Sequence, residues 1–79
     1  MKLLSWNVRG LGRTGKCRKI KQVLKERKID MALLQETKKE VVNSKLVQSI
    51  WAGEKMEFVS VDSIGSAGGL LCIWNPEVF

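Results

Sequence analysis

Residues 31–34 (Met-Ala-Leu-Leu) and 70–73 (Leu-Leu-Cys-Ile) are apolar at every position. Strand side chains alternate between two faces, so an unbroken apolar run places apolar groups on both faces of its sheet. Both faces then call for cover, and a chain of 79 residues has little to cover them with. A domain of this size buries only about 60% of its unfolded surface. Its core rarely supplies more than roughly 3–5 kcal/mol. Yet 44% of the residues are hydrophobic, which excludes wholesale disorder. The conflict predicts one α/β unit whose second layer lies outside this chain.

The elements follow from periodicity. Lys2 to Val8 reads as a strand that stops at the loop Gly10-Leu-Gly12-Arg-Thr-Gly15. From Lys16 to about Lys28, Cys17, Ile20, Val23 and Leu24 recur at helical spacing, with basic residues between them. Ile29 to Gln35 reads as a second strand. Thr37-Lys-Lys-Glu40 has the pattern of a capping box, which predicts a helix carrying Val42, Leu46, Val47, Ile50 and Trp51 inward and ending near Gly53. Glu57 to Asp62 alternates as a half-buried strand, Ser63 to Gly69 is a loop, and Gly69 to Asn75 is a last strand closed by Pro76. The order strand–helix–strand–helix–strand–strand is α/β with a parallel start, and two helices can cover only one face of its sheet.

Nine of the 14 Lys and Arg residues fall between Arg9 and Lys28 against one acid, Glu26, a local +8 that leaves −2 for the rest. Such a block attracts polyanions, nucleic acid above all, although a solvated basic helix face looks the same. Cys17 and Cys72 have neither disulfide-framework nor zinc spacing and read as structural thiols in a reducing compartment. No signal peptide and no membrane-length apolar run is present, so the expected setting is intracellular. Trp6, Trp51 and Trp74 sit in or beside apolar runs and read as core residues rather than base-stacking platforms.

The first loop supports three readings. It fits Gly-x-Gly-x-x-Gly after a strand, with Glu36 near the place of a ribose contact. It is also one residue from a phosphate-binding Gly-x-x-x-x-Gly-Lys-Ser/Thr loop, with Lys16 in place. There Cys17 replaces the hydroxyl, and a thiol is a poor ligand for a hard cation. In both motifs the strand normally runs straight into the first glycine, whereas here Asn7-Val-Arg9 intervenes. The third reading joins two strand ends. Asn7 closes the first strand and Glu36 the second, and a crossover helix makes those strands parallel. Both side chains then emerge at one carboxyl edge, where open α/β sheets hold their ligands. Glu36 offers a hard oxygen to Mg²⁺, and Asn7 an amide that can orient a phosphate or that carboxylate. In isolation, Asn7 also fits a strand-end turn former and Glu36 a helix-entry charge.

Ser5-Trp-Asn-Val-Arg-Gly-Leu11 followed by Leu33-Leu-Gln-Glu-Thr-Lys38 resembles the first two motifs of the endonuclease/exonuclease/phosphatase superfamily, in the form found in plant non-LTR retrotransposon endonucleases. Gly68-Gly-Leu-Leu71 and Ile73-Trp-Asn75 resemble the strand that comes next in that group. The resemblance implies that residues 1–79 are a partial domain, the N-terminal part of a four-layer α/β sandwich whose second half is missing. It implies a Mg²⁺-dependent phosphodiesterase or DNA endonuclease, nuclear if derived from a retrotransposon. Asn7 and Glu36 would be catalytic, Glu36 the metal ligand, Arg9 and Arg13 contacts to DNA, and the missing half a necessary partner. The alternative is a small basic nucleic-acid-binding or partner-binding module without catalysis.

The family's later motifs, a mid-domain Tyr, Asp-x-Asn and Ser-Asp-His, are absent, and the chain contains no His and no Tyr. The chain alone is therefore expected to leave supercoiled plasmid intact in the presence of Mg²⁺. Nicking that disappears in Glu36→Ala would overturn this.

Overall fold

The computed structural model of the protein describes residues 1–39, 41–64 and 68–79. Its elements are β1 (Leu3–Asn7), α1 (Lys16–Glu26), β2 (Met31–Gln35), α2 (Ser44–Ile50), β3 (Glu57–Val61) and β4 (Leu70–Trp74). They are the predicted elements in the predicted order, trimmed by one or two residues at most ends. The strands form one sheet in the order β1-β2-β4-β3. β1 and β2 are parallel neighbours, with Asn7 opposite Gln35. β4 runs antiparallel to both β2 and β3.

Both helices lie on the same side. Ile20 and Leu24 of α1 and Val47 and Ile50 of α2 are buried against Ala32, Leu34, Leu71 and Ile73 of the two central strands. Val8 and Leu11, from the loop after β1, complete this core with Trp51. Each fully buried Leu or Ile contributes roughly 1.5–3 kcal/mol. α1 starts at Gly15 and ends in a Schellman turn, in which the Ile29 amide donates to the Leu24 carbonyl (3.0 Å) and the Lys28 amide to that of Lys25 (3.2 Å). Lys28 takes the left-handed position where glycine is usual (φ 53°).

The capping box does not open α2. The helix begins seven residues after Thr37, at Ser44, and Asn43 caps it by accepting a hydrogen bond from the Leu46 amide (2.9 Å). Thr37 is instead completely buried in the loop after β2, where tertiary contacts hold it. Glu40, the other half of the expected box, and residues 65–67 of the expected glycine loop lie outside the described residues.

As expected of a sheet with two helices, only one face of β2 is covered by this chain. Ala32 and Leu34 are buried under the helices, but Leu33 on the opposite face is exposed, as are Leu3, Val59, Val61 and Leu70 around it. In β3 it is Phe58 and Ser60 that turn toward the helices. Four strands of five residues give this open face roughly 300 Å², already the size of a typical largest apolar patch on a monomer. Cys72 lies half-buried on it, where burial pushes its thiol above the usual range, and both cysteines are free.

Leu34→Ala is expected to cost about 2–5 kcal/mol, which removes most of the stability of so small a domain. Val59→Thr, on the open face, should change stability by less than about 0.5 kcal/mol while lowering binding of an apolar-patch dye. Urea unfolding and dye fluorescence of the two variants check the difference.

Candidate functional site at the carboxyl edge of the parallel pair

Parallel pairing of β1 and β2 brings Asn7 and the residue after Gln35 to one edge. There the Asn7 side-chain amide donates to the Glu36 carboxylate through Nδ2 and Oε2. The Asn7 side-chain oxygen Oδ1 accepts from the Arg9 backbone amide at 3.2 Å. With both ends of its amide engaged, Asn7 holds one carboxylate oxygen of Glu36 and leaves the other open. Asn7 is exposed and Glu36 half-buried, so the pair sits at an accessible rim rather than in a cavity.

The Glu36 backbone is fastened from two sides. On one, the Val8 amide donates to Gln35 O (3.0 Å), Gly10 to Glu36 O (2.7 Å) and Leu11 to Thr37 O (3.0 Å). On the other, the Thr37 and Lys38 amides donate to the carbonyls of Gly69 (3.2 Å) and Gly68 (2.9 Å). The ladder thus continues beyond the ends of the strands. Within it Arg9, Glu36 and Lys38 all have positive φ, between 53° and 55°. Left-handed backbone costs a non-glycine residue about 1–2 kcal/mol, and such strain persists only where surrounding contacts enforce it. Of the four positive-φ non-glycine residues among the described residues, Glu36 belongs to the pair and Arg9 and Lys38 lie within two positions of it.

The ladder also bears on the nucleotide readings. A phosphate-cradling loop needs free backbone amides, whereas those of Gly10 and Leu11 are bonded to Glu36 and Thr37. Val8 and Leu11 drive the loop into the core. Cys17 is half-buried, and its thiol donates to the Leu11 carbonyl at 3.9 Å, so it faces the protein.

Arg9 and Arg13 are both exposed on this loop. The bond from Arg9 to Asn7 places it directly beside the pair, and Arg13 lies further along, where its carbonyl accepts from the Lys16 amide (3.1 Å). Glu36 is a hard oxygen donor, but among the described residues no group of three His, Cys, Asp or Glu side chains is placed to enclose a metal ion. The donor set fits Mg²⁺ only in its open form, with one carboxylate and the remaining positions left to water and phosphate.

The packing behind this rim was not read from the sequence. Thr37 and Ser63 are buried, and their hydroxyls have no hydrogen-bond partner among the described residues. Gly69 (φ 93°) is packed so closely that a Cβ there would run into the Thr37 hydroxyl and come within 3.2 Å of the Lys38 amide nitrogen. The Gly68-Gly69 pair was the available signal, since consecutive glycines before a strand mark a close backbone approach.

Gly69→Ala should therefore destabilise the protein by about 1–3 kcal/mol and shift the backbone NMR signals of Glu36. Gly68→Ala has open space around the new methyl group and only its φ of 76° to oppose it. It should cost about 1 kcal/mol and leave Glu36 in place. Equal effects on Glu36 would mean that the Gly69 contact does not position it.

No family model matches the chain, and none of the curated proteins matches it. Among solved structures, the AP endonuclease LMAP from Leishmania major is similar, with a TM-score of 0.66 and 24% sequence identity over 90% of this chain. The match covers 22% of that enzyme's chain, so this protein spans about a fifth of its length. At that identity the likeness concerns the fold: the sheet and two helices have the architecture of an α/β portion of an AP endonuclease.

Proposed function

We propose that the chain carries the opening part of a Mg²⁺-dependent nucleic-acid phosphodiesterase, a DNA endonuclease of the retrotransposon type, and is inactive by itself. The observation that supports this most is the Asn7–Glu36 hydrogen bond at the shared carboxyl edge. It joins the two motifs that carry the family resemblance, in a fold like that of an AP endonuclease.

In this reading Glu36 is the residue that would hold Mg²⁺, with its carboxylate oriented by Asn7. The metal, when bound, supplies Lewis-acid stabilisation of charge on the phosphodiester oxygens. Asn7 fixes the Glu36 rotamer and offers its amide to a phosphate oxygen. Arg9, exposed beside the pair, contacts the DNA backbone, and Arg13 extends that contact along the loop. No His is present to act at the scissile phosphate, which is why the chain binds and orients without cleaving. The expected partner is DNA, and the expected compartment the nucleus.

Substituting paramagnetic Mn²⁺ for Mg²⁺ tests the metal site without needing activity. Broadening of NMR signals should centre on Glu36 and Asn7 at millimolar metal and vanish in Glu36→Gln, with circular dichroism unchanged. Broadening centred elsewhere, or surviving in Glu36→Gln, would remove Glu36 from the role.

A further inference from the structure

Helix α1 and strand β1 frame a second feature that the carboxyl-edge site does not use. A groove of about 320 Å³ is lined by Leu4, Trp6, Lys19, Val23 and Arg27. β1 is an edge strand, so no further strand among the described residues closes the groove on that side. Leu4 and Trp6 point to the helix side, whereas Leu3, Ser5 and Asn7 alternate to the other. The groove and the Asn7–Glu36 pair therefore use opposite faces of the same strand.

Its composition is unusual for a helix seam. Lys19 and Val23 of α1 and Arg27, the residue that caps its C-terminus, follow one another at four-residue spacing and so line up along one stripe. A seam that merely closed a core would be apolar along that stripe. Here two exposed cations flank the half-buried valine, and Trp6, packed against the core as its sequence setting implied, keeps part of its surface lining an open space. Among the described residues neither cation has an ion-pair partner; the salt bridge there joins Lys55 and Glu77. The one acid of α1, Glu26, accepts a hydrogen bond from Gln22 (3.0 Å).

We propose that this groove binds single-stranded nucleic acid, with an unpaired base against Trp6, Leu4 and Val23 and its flanking phosphates at Lys19 and Arg27. The +8 carried by residues 9–28 suits an evenly charged polymer better than one acidic side chain. The aromatic and apolar floor selects the strandedness. A duplex hides its base faces in the stack, whereas a single strand can lay a base on an indole, and that contact tolerates any sequence. The site stands apart from Asn7 and Glu36 and does not depend on the phosphodiesterase reading.

Fluorescence anisotropy with the whole chain at low salt tests it, using a labelled oligothymidylate of about twelve nucleotides and a duplex of equal length. The single strand should bind at least about tenfold more tightly. Trp6→Leu, which changes no charge, should weaken it about fivefold or more, and Trp6→Phe should restore most of the loss. Lys19→Glu with Arg27→Glu should lose at least about tenfold more affinity than Arg18→Glu with Lys45→Glu, an equal charge change on exposed residues outside the groove. If Trp6→Leu unfolds, the two charge pairs decide alone. Equal loss from both pairs would mean a diffuse field and no site, and duplex binding as tight as single strand would overturn the proposal. So would displacement of the oligonucleotide by an acidic peptide bearing an apolar residue at lower concentration than unlabelled oligonucleotide, which would mark a protein partner.

Discussion

Parallel pairing of β1 with β2 is the constraint on which the rest of this molecule depends. Parallel strands cannot be joined by a tight turn, so α1 has to cross between them, and its apolar stripe becomes the lid of the core. The same pairing aligns the ends of both strands, which is the only reason Asn7 and Glu36, 29 residues apart, can meet. Three further backbone bonds then carry the ladder past Asn7 to Leu11. They draw Val8 and Leu11 into the core and turn a glycine-containing loop into a fixed rim. Strain at Arg9, Glu36 and Lys38 is held by this ladder and by Gly68-Gly69 on its far side.

The faces of the molecule differ in kind. Outside the helices, α1 presents its lysines and arginines to solvent; across the sheet, Leu3, Leu33, Val59, Val61 and Leu70 are left open. Charge and apolar surface are therefore segregated to opposite sides of a structure only two layers thick. Apart from Glu57 at the start of β3, the polar exceptions on the open face cluster near β1, where the Gln35 amide donates to the Ser5 hydroxyl at 3.2 Å. The Asn7–Glu36 rim adjoins that corner. Trp6, one residue away, turns into the groove beneath α1, so strand alternation separates a rim suited to a metal and phosphate from a groove suited to a base.

Much of this was legible from local pattern. The strands were readable because unbroken apolar runs and alternation are properties of a few consecutive residues. α1 was readable because Cys17, Ile20 and Leu24 keep helical spacing within one segment. The meeting of Asn7 and Glu36 could be anticipated because a strand–helix–strand unit permits essentially one handedness. Thr37 misled for a physical reason: a threonine three residues before a glutamate is the local pattern of a helix cap, yet its side chain is buried against Gly69, which lies 32 residues further on. Asn43, with a competing short polar side chain, caps α2 instead.

By itself, then, the sequence determined the identity and order of the elements, the basic character of α1 and the positions of Asn7 and Glu36 at strand ends, because each depends on neighbours within a few positions. Only the tertiary structure decided that β4 inserts between β2 and β3, and which of the alternating sets in β3 turns inward. It also decided which face of the sheet stays open, that Gly69 must remain a glycine, and that Trp6 lines a groove. Those outcomes depend on which distant segments share a volume, and no local period carries that information.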